Sequence, residues 1–384
     1  MRGNLLQRKV FLFFFLYSFS FGALFPRIGD LQIQMEIEEG ALGLALVGLP
    51  LGVQLALLFA DKMLAVLGFR LAVCLGVPII GISLVLASLA MEPLLFFFAL
   101  FLGGLAVGIV EVAVNIEADR IEYKIGKKIM NRSHSFWSLG FFSAGLLGAV
   151  FSQIEITPTW HLMLSFFISS ILVILLAGHY EEVETRPNPN SKTIIFVIPS
   201  KGILTLVFLT LSAMLIEGAG IDWSVIFMRD IFGTTAFFNG TALFLGALAQ
   251  FFVRFFADSF VEKLGPVRVA RISILAMFSG LTIVCFTFNP YVALLGFALM
   301  GAGTAVLFPL AVSAAAQKSD RSASANVASL SQLSFVVFLL APPFLGFVAE
   351  NFGIRISFAV AFPLLFLSWI CVSSLVSSNS KDLS

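Results

Sequence analysis

A chain of 384 residues that is 59% hydrophobic and only 12% charged does not fit a soluble globule, whose charged share is roughly a quarter. The net charge of +1 carries no signal for nucleic acid, and no nucleic-acid partner is expected. Three cysteines, Cys74, Cys285 and Cys371, fall in apolar stretches without CxxC spacing, so neither a disulfide framework nor a metal site is expected.

Twelve apolar stretches follow one another, at roughly 9–29, 40–60, 70–91, 93–116, 133–154, 159–179, 202–221, 235–257, 269–289, 291–316, 325–349 and 354–376. Each is long enough to cross a hydrocarbon core of ~30 Å as a helix. Alternation over ~10 residues, the mark of a membrane strand, is absent. The first stretch, KVFLFFFLYSFSFGALF, is too long for the apolar region of a signal peptide and reads as span 1. With the N-terminus in the cytoplasm, all of the 23 Lys and Arg except Arg27, Arg229 and Arg355 fall on the cytoplasmic side. That asymmetry supports an even number of spans and puts both termini in the cytoplasm.

The break after span 2 carries Asp61 and Lys62, then Gly68 as a turn residue and Arg70 at the start of span 3. Span 4 reads GGLAVGIVEVAVN, with Glu111 nine residues, or ~13 Å of helix, before Arg120. A carboxylate at that depth costs from ~2.5 to over 10 kcal/mol unless it faces water, finds partners or takes up a proton. Asn115 shares its helix face, and Gly103, Gly104 and Gly108 permit close approach of another helix. Span 5 opens with NRSHSFWSLG: His134 is read either as a proton relay or as a helix-end cap, and Trp137 as a stacking platform or an interfacial anchor.

The break at 178–201, with three prolines and mixed charge, reads as a cytoplasmic linker. It divides the chain into six-helix halves 1–180 and 201–384, joined through 181–200. In span 7, Glu217 reads as near the outer end, a gate or second titrating group, with Gly218 and Gly220 loosening the helix before Asp222. Arg229 and Asp230 read as a solvated loop. Gln54, Asn239, Gln250 and Gln332 are polar groups within spans and are candidates, with Glu111, Asn115 and Trp137, to line a binding cavity. Arg254 and Asp258, four apart, are expected to pair at the cytoplasmic end of span 8. Pro342-Pro343 is expected to interrupt span 11.

The halves repeat. GLAL at 43–46 recurs as GTAL at 240–243, and FADKMLAVLG at 59–68 as FADSFVEKLG at 256–265, both displaced by 197 residues. The expected fold is all-α, with two pseudo-symmetric six-helix bundles related by an axis along the membrane normal. Asp61 and Asp258, with Arg70 and Arg268 beyond them, are candidate gate residues. Each acid is placed to pair locally or to face the positive N-terminus of a span in the other half, such as span 11 near Ser322 and Ser324.

A 6+6 chain with this repeated loop resembles the major facilitator superfamily. The stretches FPRIGDLQIQMEIEEGALGLALVGLPLG, EVAVN, IMNRSHSFWSLG, IEGAGIDWSVIFMRD and LAPPFLGFVAE resemble its fucose-permease-like branch, and within it bacterial inner-membrane members of unassigned substrate. The resemblance implies the major facilitator fold and a sugar-like solute. It also implies a span-4 E-x-A-x-N motif, matched by Glu111, Ala113 and Asn115, that ties an acid to substrate and proton. The branch's span-1 aspartate has no counterpart between Phe11 and Gly29, and Trp137 stands where its span-5 asparagine would be.

Two transport readings remain open: proton-coupled symport of a small polar solute, and proton-antiport export of organic or drug-like compounds. No G-x-S-x-G, P-loop, HExxH or soluble domain supports an enzyme or an ATP-driven pump. No cofactor is expected; the expected partners are a small-molecule substrate, protons and the lipid bilayer, with the chain acting as a monomer.

Overall fold

A computed structural model describes residues 2–181, 183, 199–318 and 320–376. Most of the expected linker lies outside the described residues. The described residues hold twelve helical spans long and apolar enough to cross a membrane: Leu5–Met35, Glu39–Leu57, Lys62–Ser88, Pro93–Ile125, Met130–Gln153, Pro158–Gly178, Lys201–Phe232, Ala236–Leu264, Pro266–Phe286, Pro290–Ala316, Ala325–Phe352 and Ile354–Leu375. They are numbered 1 to 12 below. The protein is an all-helical, multi-pass membrane protein.

Several spans run beyond their apolar cores. Span 7 continues unbroken through Gly218 and Gly220 to Phe232, so Glu217 lies at mid-helix rather than near an end. Glycine costs a helix only ~1 kcal/mol, which packing on neighbouring spans offsets. Arg229 and Asp230 therefore belong to the last turns of that helix and not to a loop. Span 8 runs to Leu264, which leaves Arg254 ten residues inside its end. Span 11 contains Pro342 and Pro343 within one helix, Ala323–Phe352, so the expected interruption is absent.

The end of the molecule that carries the N-terminus is called proximal, the other distal. The 197-residue repeat has a structural cause at two levels. Gly68 and Gly265 adopt the same left-handed, extended turn, with φ of 68° and 77°. A side chain would be strained there. Gly43 and Gly240 each face a span of the other half. A Cβ on Gly43 would lie 2.4 Å from the Pro342 carbonyl oxygen, and one on Gly240 would lie 2.5 Å from the Ala149 Cβ. Spans 2 and 11, and spans 8 and 5, thus approach backbone to backbone at the distal end.

Polar bonds close that end further. Arg229 Nη1 donates to Gly29 O at 3.1 Å and Nη2 to Gln32 Oε1 at 2.8 Å, joining span 7 to span 1. Gly40 N donates to Glu350 Oε2 at 2.9 Å, and Phe237 N to Gln153 Oε1 at 3.1 Å. Toward the proximal end, span 11 leaves span 2, whose segment Gly48–Leu57 packs on span 4 instead. Gly104 and Gly108 allow this contact: a Cβ on either would meet Leu49 O or the Ala56 methyl at 2.1 and 2.8 Å.

Candidate functional site

Glu111 lies near the middle of span 4 and is half-buried. Asn115, one turn on, donates from Nδ2 to Glu111 Oε1 at 2.9 Å and to Glu111 O at 2.8 Å. Its Oδ1 faces His134 Nε2 at 3.1 Å. An amide oxygen only accepts, so in this network the imidazole carries its hydrogen on Nε2. On the other side, Tyr17 of span 1 faces both the Glu111 carboxylate and Trp137. Trp137 therefore stands one side chain away from Glu111, and its ring stacks on Phe141 at 5.4 Å. The acid is tolerated at that depth because Asn115 bonds it and Tyr17 faces it, and His134 and Trp137 back these two in turn.

A second set comes from the C-terminal half. Gln250 Nε2 donates to Glu217 Oε1 at 2.8 Å, and Arg254 Nη2 approaches the same oxygen at 3.4 Å. Arg254 Nη1 donates to Ser138 Oγ at 2.9 Å, across to span 5, and Ser138 Oγ stands 3.1 Å from Gln250 Oε1. Arg254 Nε reaches Ala305 O at 3.3 Å. That carbonyl is free because residue 309, which would supply its helical N–H, is Pro309. The break between Thr304 and Leu307 in span 10 is the visible result.

The expected Arg254–Asp258 pair is not formed, because the guanidinium turns inward to Glu217 and Ser138. Asp258 instead accepts from Asn131 in the first turn of span 5, across the half boundary. This is a helix N-terminus in the opposite half, as anticipated for the gate acids, but on span 5. Arg132 lies over the Phe255 ring beside it, at 5.5 Å. The side chain of Asp61 lies outside the described residues. Arg70 and Arg268 are exposed at the starts of spans 3 and 9.

Between the halves lies a cavity of about 50 Å³ whose wall includes Trp137, Phe141, Glu217, Gln250, Met300 and Thr304. That is room for a few waters; sites for small organic ligands run to roughly 300 Å³ and more. The structure therefore gathers Glu111, Asn115, Trp137, Glu217 and Gln250 around one inter-bundle centre. Gln54 and Gln332 are half-buried on spans 2 and 11 and do not line this cavity. Asn239 is buried at the distal start of span 8, where it accepts from Thr234 Oγ1 at 2.5 Å and holds the turn. Asp222 makes no bond into the cluster.

Sequence reasoning missed Tyr17 and Thr304, gave Arg254 only a pairing with Asp258 at the helix end, and gave Ser138 no role. Arg254 was recoverable: it precedes the Gly265 turn by eleven residues, or ~16 Å of helix. The depth count that singled out Glu111 would have placed it inside.

The sequence profile described as Major Facilitator Superfamily matches residues 204–383. An uncharacterized transporter of Sinorhizobium fredii is 28% identical over 353 residues, covering 90% of this chain and 92% of its own. An uncharacterized MFS-type transporter of Yersinia pestis is 26% identical over 355 residues, with 92% and 91% covered. The chain is thus similar to major facilitator transporters along nearly its whole length, and its C-terminal half matches the superfamily's profile. The solved nucleoside transporter NupG superposes with a TM-score of 0.70 at 14% identity, over 96% of this chain and 98% of that one. The E. coli fucose:proton symporter FucP does so with 0.65 at 17%, over 97% and 98%. These likenesses show a common fold. The profile and the relatives are those of a major facilitator transporter of unassigned substrate, and the inter-bundle cluster around Glu111 and Glu217 is the candidate site.

Proposed function

We propose that this transporter is a proton-coupled symporter of a small polar, sugar-like solute in a bacterial inner membrane, with the proximal end and both termini in the cytoplasm. The observation that carries the reading is Glu111, an acid at mid-span bonded by Asn115 and faced by Tyr17, which stands between it and Trp137 on the cavity wall. A solute stacked on Trp137 touches the indole beside Tyr17, which in turn faces Glu111. Binding and proton occupancy are then joined through two side chains. Glu111 carries the proton; Asn115, Trp137 and Gln250 bind the solute; Gln54 and Gln332 join them as the cytoplasmic side rearranges. The arginine asymmetry supports the orientation. A structural neighbour named as a fucose:proton symporter supports symport and a sugar-like cargo over export.

The distal seal of Arg229, Glu350, Gly43 and Gly240, together with the divergence of spans 2 and 11 toward the proximal end, supports a state closed to the periplasm. Asp258 with Asn131 holds spans 8 and 5 together at the cytoplasmic end already in this state, with Arg268 as a nearby charge, so closure of that side in the opposite state falls to the diverging spans 2 and 11. Alternation between the two exposes Glu111 to each aqueous phase in turn.

The test is uptake in proteoliposomes of the solute that best stabilises purified protein among neutral hexoses, polyols and organic acids. Acid outside should drive accumulation by the wild type. Glu111→Gln should lose gradient-driven accumulation and keep counterflow. A Glu111→Gln variant that responds to the pH gradient as the wild type does would remove Glu111 from the coupling step.

A further inference from the structure

The cluster holds three side chains of formal charge, Glu111, Glu217 and Arg254, and their arrangement is unequal. Glu217 Oε1 takes both Gln250 Nε2 at 2.8 Å and Arg254 Nη2 at 3.4 Å. Arg254 is itself fixed by Ser138 Oγ at 2.9 Å and by Ala305 O at 3.3 Å, the carbonyl that Pro309 leaves free. Glu111, by contrast, takes its hydrogen bond from the neutral Asn115 and faces Tyr17; Arg254 acts on it only through space, with no ion pair formed. The groups facing the two acids are Tyr17 from span 1, Asn115 from span 4, His134 and Ser138 from span 5, Gln250 and Arg254 from span 8, and Thr304 from span 10. One guanidinium stands against two carboxyls.

We propose that Arg254 sets the proton count of the cycle: it is the fixed counter-ion of Glu217, and it leaves Glu111 as the one carboxyl of the cluster that exchanges a proton. Breaking a buried ion pair by removing one partner leaves an uncompensated charge, which neutralises by protonation. Removal of the Arg254 charge thus turns Glu217 into a second proton-exchanging group. Arg254 is in this sense a positioning residue, acting on proton traffic through Glu217. The inference rests on the proton-coupled reading above and replaces its two-acid form with a single carrier.

The experiment needs no substrate. Infrared difference spectra are recorded across a pH titration of lipid-reconstituted protein, in an Asp222→Asn background that removes the other mid-span acid of span 7. The wild-type cluster should show one protonated-carboxyl band, lost in Glu111→Gln and kept in Glu217→Gln. Arg254→Gln should add a second band, and Arg254→Gln with Glu217→Gln should return to one. Arg254→Lys, which keeps the charge, should show one. Two bands in the wild type, or a band lost in Glu217→Gln, would overturn the proposal, as would Arg254→Gln without a second band. If Arg254→Gln does not fold, the comparison of Glu111→Gln with Glu217→Gln decides alone. Uptake that ignores a pH gradient would sink the symport reading and leave this titration standing. A wrong band assignment would do the reverse.

Discussion

At the scale of single residues, Asn115 acts as a two-sided connector, donating to Glu111 and facing His134 with its oxygen. Asn115→Ala removes both bonds and, at about 1–1.5 kcal/mol for such a loss, should raise the half-saturation concentration for uptake about tenfold. An unchanged half-saturation takes Asn115 out of the site. Tyr180 is a structural contrast. Its hydroxyl donates to the fully buried Glu117 at 2.6 Å, alongside Val183 N at 3.1 Å and Arg120 Nη1 at 3.1 Å. Tyr180→Phe should lower stability by about 1–3 kcal/mol, read from denaturant unfolding in detergent, with uptake by the surviving protein little changed. Glu111 was legible in the sequence because an acid amid small apolar residues has few explanations. Tyr17 was not, since a tyrosine in an apolar span usually needs none.

At the scale of helices, apolar length revealed all twelve spans but set their ends too early in spans 7 and 8, where polar residues continue the helix. Glu217 and Arg254 were assigned to helix ends, although they meet each other near mid-span. The repeat was legible and its cause was only half so. The Gly68 and Gly265 turns follow from a loop pattern, whereas the contacts of Gly43 with Pro342 and Gly240 with Ala149 lie between halves that share no local sequence. A valine at position 43 or 240 would drive into the facing span. Gly43→Val should therefore favour opening at the distal end, raising the rate at which a cavity cysteine is labelled from outside at least several-fold. An unaltered rate would mean that this contact does not hold the distal seal.

For the whole molecule, the fold follows from composition and the repeat, because a membrane leaves few ways to satisfy backbone groups and twelve spans in two similar halves pack as two bundles. The state of the molecule was not legible. It depends on which end of the inter-bundle seam is closed, and that is fixed by contacts between residues about 200 or more apart, such as Arg229 with Gln32 and Gly40 with Glu350. The account's central claim is that the cluster between the bundles is reached by water from one side at a time. The most direct measurement is labelling of Thr304→Cys by a membrane-impermeant maleimide in right-side-out and inside-out vesicles, after replacement of Cys74, Cys285 and Cys371. Cysteines at positions 40 and 350 provide a distal cross-link. The account predicts labelling from both sides without the cross-link and from the cytoplasmic side only once it forms. Labelling from outside through the closed cross-link, or from neither side under any condition, would contradict it.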